Sequence, residues 1–271
     1  MDSPPHHRIL AIRYGHHARK AAANFLGGDD HAADMPLDYY VWAIERDDGP
    51  PIVVDTGFDA ETAARRGRTL LRPVADGLAA AGIGIDAVED VIVTHMHFDH
   101  AGSLGLFPRA RFHIQDAEMA FCTGRAMTER TLRAPFDGEP VAQMVRMLFG
   151  DRVIFHAGTS AIAPGVTVHH IGGHTAGLQI VEVRTARGPV VLASDAAHLY
   201  ANITRAVPFP IVVDVPAYLA GLRRLRELGP SLGHIIPGHD PLVLQRFSPI
   251  PGAADIVRVD LPPLVPIEET L

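Results

Sequence analysis

Thr94-His95-Met96-His97-Phe98-Asp99-His100-Ala101-Gly102 follows directly on the apolar run Val91-Ile92-Val93, so four residues of ligand type fall within the six positions 95–100. Imidazole and carboxylate are donors that suit Zn²⁺, and by ligand type also Fe, Co or Mn. Histidines at i and i+2 of an extended segment project to one side, so His95 and His97 can share an ion. Asp99 and His100 are neighbours and would point apart in a strand. For both to serve one ion the chain must turn, which Ala101-Gly102 permits. The spacing therefore favours two metal positions over one. Two ions sharing a hydroxide supply a nucleophile near neutral pH and polarise a carbonyl, which is the chemistry of a hydrolase.

Such a cluster needs strands that end at it. Short β-branched runs predict strands at Arg8–Tyr14, Tyr39–Glu45, Ile52–Asp55, Asp90–Thr94, Arg111–Gln115, Val166–Ile171, Leu178–Val183, Pro189–Ala193 and His234–Ile236. Helices are expected over Leu70–Ala81, which ends at Gly82, and over Pro140–Phe149, which opens on proline and stops at Gly150. A third, Pro216–Leu228, has Asp214 upstream, leucines at 219, 222, 225 and 228, and Gly229-Pro230 as its stop. Two batches of strands with helices between them predict an α/β chain of two sheets covered by helices. Because the candidate residues are scattered along the whole length, we expect one domain over 1–271. Residues 1–38 are expected to build the pocket or an interface, and the tail 248–271, with five prolines, to be extended.

Composition narrows the function classes. With 47% apolar and 20% charged residues among 271, a sizeable core is possible and wholesale disorder is not. Twenty-four basic against 31 acidic residues give a net charge of −7, which speaks against sequence-independent nucleic-acid binding. The single cysteine, Cys122, excludes an intrachain disulfide and a Cys-rich zinc module. The stretch without Asp, Glu, Lys or Arg from Val153 to Val181 holds five glycines, a proline and four histidines, so it reads as strands and turns. We expect a soluble, cytoplasmic homodimer with no nucleic-acid or membrane partner. Of the 16 histidines, His6, His7, His16, His17 and His31 read as solvated or packing residues. His113, His156, His169, His170 and His234 read as structural.

The run His95-x-His97-x-Asp99-His100 resembles the H-x-H-x-D-H signature of the metallo-β-lactamase superfamily. Further segments match in the family's order: Asp55-Thr56-Gly57 after Ile52-Val53-Val54, Gly173-His174-Thr175-Ala176-Gly177, Ser194-Asp195 after Val190–Ala193, and Pro237-Gly238-His239-Asp240 after Ile235-Ile236. The resemblance spans roughly residues 8–245 and implies a four-layer αβ/βα sandwich with the site along one edge between the sheets. It implies two divalent ions, Zn²⁺ first among the candidates. His95, His97 and His174 would bind one ion, Asp99, His100 and His239 the other, and Asp195 would bridge them. Asp55 would orient a ligand histidine or serve the turn.

Among the branches, the chain is most similar to the N-acyl homoserine lactone lactonases. The flavodiiron pattern has Glu where His97 stands, and the zinc β-lactamases lack the second-metal histidine and bridging aspartate present here. A tRNA-processing role would want a basic surface. The resemblance implies a small-molecule lactone substrate opened by a hydroxide shared between the ions, with Asp99 passing the proton to the leaving alkoxide. Where those lactonases carry an aromatic hydroxyl, three residues after the bridging aspartate, this chain has His198, with Tyr200 two residues on. Both are catalytic candidates beside Asp99. Phe25, Leu26, Met35, Phe58 and the Met144–Phe149 helix could receive an acyl chain. A glyoxalase II-type thioesterase or other small-ester metallohydrolase, and a non-catalytic binding protein on the same scaffold, remain the alternatives.

Overall fold

Alternate side chains of the first strand enter two different cores: Ile9 and Ala11 join one cluster, Leu10, Ile12 and Tyr14 another. The period-2 geometry of a strand with both faces covered produces this division. The second strand repeats it, with Tyr40, Trp42 and Ile44 on one side and Tyr39, Val41 and Ala43 on the other.

The computed structural model describes residues 6–29 and 32–267. Its strands are β1 (Arg8–His17), β2 (Leu37–Glu45), β3 (Ile52–Val54), β4 (Thr69–Leu70), β5 (Asp90–Ile92), β6 (Arg111–Gln115) and β7 (Val153–His156), then β8 (Thr159–Ala163), β9 (Val166–His170), β10 (Gln179–Thr185), β11 (Gly188–Ser194), β12 (Ile235–Pro237), β13 (Ser248–Ile250) and β14 (Ala253–Arg258). One sheet runs β13-β14-β1-β2-β3-β5-β6-β7, with β4 beside β1, and the other β12-β11-β10-β9-β8. Their facing sides form one core, in which Trp42, Val54 and Ile92 share a cluster with Val168, Val181 and Leu192. Helices Val74–Ala80 and Gly138–Phe149 cover the outside of the larger sheet through Val74, Leu78, Met144 and Met147. Helix Val215–Leu228 packs beside β11 through its buried stripe of Tyr218, Leu222 and Leu225. Its N-terminus is capped by Asp214, whose carboxylate accepts from the Ala217 amide at 2.9 Å. The result is the expected αβ/βα sandwich.

The parallel pairs position the site. Strands β3 and β5 run parallel, as do β11 and β12, so the loops after all four leave from strand carboxyl ends. The two sheets are tied together beside those loops. The Gln179 backbone N–H donates to Thr94 O at 3.0 Å, and the Thr94 and Ser194 hydroxyls lie 2.9 Å apart.

Some expectations need correction. The tail does not simply run extended: Ser248–Arg258 forms a hairpin whose second strand joins β1. Pro249 sits in the edge strand, where a missing N–H costs little, and Pro251-Gly252 makes the turn. The helix expected from Leu70 begins at Val74, because Thr69–Leu70 is taken by pairing with β1. Within 1–38, the ten residues Arg8–His17 form β1 inside the larger sheet, and Arg19 and Leu37 reach the pocket. Strands β7 and β8 and the helices Ala60–Arg66 and Asp116–Cys122 had no clear sequence signal. His31 lies outside the described residues.

Candidate metal centre

Four loops bring the predicted ligand residues together. His95, His97, Asp99 and His100 follow β5, His174 lies between β9 and β10, Asp195 follows β11, and His239 follows β12. The turn that lets Asp99 and His100 converge comes earlier than expected, as one helical turn over Phe98–Ala101. Two groups have ligand atoms within 4.8 Å of one another: His95, His97, His174 and Asp195, and Asp99, His100 and His239. A third group of the same closeness joins Asp195, His198 and His239. All of these side chains are buried.

Asp195 is the hub. Its Oδ2 lies 3.1 Å from His174 Nε2 and 2.9 Å from His198 Nε2, and its Oδ1 lies 2.9 Å from His239 Nε2 and 3.2 Å from His100 Nε2. The backbone beneath is constrained: Ser194 takes φ 44°, which aims the next residue off the end of β11. Gly173, at φ 88°, could not carry a side chain, because a Cβ there would stand 2.4 Å from the Tyr218 amide nitrogen.

Three of the imidazoles are fixed from behind. His174 Nδ1 faces Ile211 O at 2.7 Å, His239 Nδ1 faces Asp38 O at 3.0 Å, and His100 Nδ1 faces the Asp55 carboxylate at 2.7 Å. A carbonyl or carboxylate on one ring nitrogen requires the proton there and leaves a lone pair on the other. The Nε2 lone pairs of His100, His174 and His239 therefore all face the oxygens of one buried carboxylate. That arrangement repels itself unless a cation lies among the atoms. Two further observations agree: His95 Nε2 is buried with no hydrogen-bond partner, and His97 Nδ1 and His174 Nε2 stand 2.9 Å apart. The residues fit divalent metal ions.

Electrostatics divides the histidines, favouring the neutral form at His95 and His97 and the charged form at His100 and His239. Burial, aided by the neighbouring imidazoles, holds His95 and His97 well below the ordinary histidine range. Burial also opposes charge on His100 and His239, but there Asp195 and its fellow carboxylates prevail and raise both. Burial works against the Asp195 carboxylate too, and is outweighed by four histidines, which hold it well below the usual range. Asp55 shows the reverse balance: burial prevails over its hydrogen bonds and raises it.

Of the proposed catalytic residues, Asp99 and His198 line the cavity and Tyr200 does not. The Tyr200 ring lies in the core between the sheets and does not reach the cavity, because a helix starting at residue 200 turns that side chain inward. His198 stacks on Phe209 with centroids 3.7 Å apart. Burial lowers its pKa to about 3, so it is neutral near pH 7. With Nε2–H donated to Asp195, His198 Nδ1 is an acceptor, whereas the family's aromatic hydroxyl is a donor.

The cavity over the cluster, about 40 Å³, is also lined by Arg19, Leu37, Tyr39, Arg68, Phe98, Pro135, Phe209 and Ile211. It adjoins a groove of about 240 Å³ that shares His97, Phe98, Arg68, Pro135 and Ile211 and adds Leu132, Pro210, Val212 and Val213. None of the side chains expected to receive an acyl chain lines these spaces. Phe58 packs against Tyr14, Tyr39 and Phe98, Phe25 joins Phe209 and Leu199, and Met144 is in the core. Sequence reasoning also missed Glu118. Its buried carboxylate accepts from Met96 N at 2.8 Å, Thr175 Oγ1 at 2.6 Å and Gly177 N at 3.1 Å, pinning the His95–His97 loop to the His174 loop. Only the buried carboxylate's three local donors identify this role, and they come from loops far apart in sequence.

A profile of the metallo-β-lactamase superfamily matches residues 35–239, a span that includes every cluster residue described above. The chain belongs to the metallo-β-lactamase superfamily. It is 28% identical over 209 residues to an N-acyl homoserine lactonase of Bacillus sp, covering 71% of this chain and 77% of that protein. A crystal structure of a quorum-quenching N-acyl homoserine lactone lactonase superposes with a TM-score of 0.72, at 23% identity, over 89% of this chain and 95% of the other. The dizinc quorum-quenching lactonase AidC, solved with a product, gives 0.67 at 16% identity, over 89% of this chain and 90% of the other. At those structural identities the likeness speaks for the superfamily fold alone. Among the described residues of this superfamily member no helix is long and apolar enough to cross a membrane.

Proposed function

We propose that the chain is a metal-dependent lactonase that opens N-acyl homoserine lactones or close γ-lactones. The observation that carries this reading is the similarity to N-acyl homoserine lactonases across most of the chain, with a full set of ligand-type residues gathered in one buried cluster. His95, His97 and His174 would hold one divalent ion, Asp99, His100 and His239 the second, with Asp195 between them. Bound there, the ions, zinc in our reading, would supply Lewis acidity toward the carbonyl and acidify water.

The chain's own residues do the rest. Asp99 faces the cavity, its Oδ2 3.7 Å from His100 Nε2 and 3.8 Å from His239 Nε2, and its backbone carbonyl is anchored by the Tyr14 hydroxyl at 2.7 Å. Its carboxylate is placed to carry a proton to the departing alkoxide. His198 holds Asp195 with one nitrogen and offers the lone pair of the other to a hydroxyl proton. The groove beside His97 and His174 offers Phe98, Leu132, Ile211 and Val213 to an acyl chain.

A pH-indicator assay of metal-loaded protein tests the reading: lactones should be opened and chelator should abolish turnover. Hydrolysis of S-acyl glutathione without lactone turnover would move the protein to the thioesterase branch. His198→Ala should lower kcat by roughly 10–10³-fold with metal content at the wild-type level. Unaltered kcat in that variant would remove His198 from the reaction.

A further inference from the structure

Two arginines open onto the same cavity as the histidine cluster, and neither has a carboxylate partner among the described residues. Each stands one aromatic ring out from a histidine of that cluster. The Arg19 guanidinium lies 5.2 Å from the centroid of Phe209, which stacks on His198. Arg68 lies against the Tyr39 hydroxyl, and the Tyr39 ring meets His239 edge-on at 5.0 Å.

The partners of both arginines are neutral. Arg19 donates to Asn24 Oδ1 at 2.8 Å and to Ala23 O, and Arg68 donates to Arg66 O at 2.7 Å. Arg68 Nε is buried without any hydrogen-bond partner. Neighbouring cations are treated differently: Asp137 neutralises Arg65 and Arg66, Asp38 faces Arg13, Asp34 faces Lys20 and Asp29 faces Arg205. A chain with 31 acidic residues and a net charge of −7 has carboxylates to spare, yet among the described residues none faces these two arginines. Burial and the Arg68 charge lower Arg19, and burial with both guanidiniums pushes His17 down to about 4, so His17 is neutral near pH 7. Unpaired, partly desolvated guanidiniums around a cavity are an anion-binding arrangement.

We propose that Arg19 and Arg68 form a subsite for an anionic group, carboxylate or phosphate, carried by the substrate away from its scissile carbonyl. The inference rests on the lactonase reading and narrows it to lactones with a charged substituent. The uncharged part of such a substrate contacts Phe98, Phe209 and Ile211, and the anion reaches the rim between the two guanidiniums.

The test separates this inference from the reading it rests on. Calorimetric titration of metal-loaded protein with adipate and with hexanoate compares a second carboxylate with none, independently of turnover. Adipate should bind about tenfold more tightly than hexanoate. The preference should vanish in R19Q/R68Q and persist in R19K/R68K, with folding of each variant checked by its melting temperature. The same ratio should appear in kcat/KM for acyl homoserine lactones ending in carboxylate or phosphate against a chain-matched neutral lactone, and the two anionic arms show which group is preferred. Equal binding of adipate and hexanoate, or a preference that survives in R19Q/R68Q, overturns the subsite even if lactones are opened. An arginine-dependent preference in a protein that opens no lactone sustains the subsite and discards the lactonase reading.

Discussion

Asp195→Ala should leave the protein unable to retain its full metal complement and should lower kcat/KM by at least roughly 10³-fold. The expectation follows from the position of this carboxylate, which has nitrogens of four histidines within 2.9–3.2 Å. It is the acidic side chain adjoining both proposed ion positions, and removing it leaves imidazoles facing one another without a shared anion. Asp195→Asn separates charge from shape. It keeps the volume and one acceptor oxygen but not the negative charge, so it too should lose metal. Elemental analysis and steady-state kinetics on the same preparations check both variants. Wild-type metal content in either would deny Asp195 the bridging place.

The second large effect is expected at Asp55, which contributes no atom to the cluster. Its carboxylate is fully buried and accepts from Thr94 N and Thr94 Oγ1, both at 2.8 Å, and from His100 Nδ1 at 2.7 Å. It also adopts φ 64°, a region where aspartate is tolerated and alanine is strained. Asp55→Ala thus strands a backbone N–H, a hydroxyl and an imidazole, and adds backbone strain. A loss of about 3–5 kcal/mol is expected, seen as a melting temperature lower by roughly 10 °C. Zinc affinity should fall roughly 10–100-fold, because His100 loses the group that fixes its ring. Asp55→Asn suits the backbone angle and should be milder in stability, yet still weaken zinc. A melting curve and zinc affinity both unchanged in Asp55→Ala would show that the carboxylate serves neither role.

These two aspartates also show where the sequence was readable. Asp195 and Asp55 each directly follow an apolar strand, and His95 and His97 alternate at the end of another, so the local pattern announced both the strand and what it carries. The strands β1 and β2 were similarly visible, because strands covered on both faces read as continuous apolar runs. Glu118, Arg19 and Arg68 were not readable. A glutamate in a helix and arginines in loops are the usual furniture of a surface, and only the tertiary fold places Glu118 between two loops or turns the arginines over a cavity. The choice between His198 and Tyr200 depended on where one short helix begins, which periodicity does not resolve at two residues' separation. The acyl-chain residues were misplaced for a related reason: Phe58 and Met144 are apolar, but apolarity alone does not distinguish a core from a pocket wall.

In the proposed arrangement two divalent ions would share Asp195, with His95, His97 and His174 on one side and Asp99, His100 and His239 on the other. Elemental analysis of protein purified without chelator, repeated after equilibration with zinc and removal of the excess, tests it most directly. The arrangement predicts two equivalents of divalent metal per chain. A reproducible single equivalent that added zinc does not raise would contradict it.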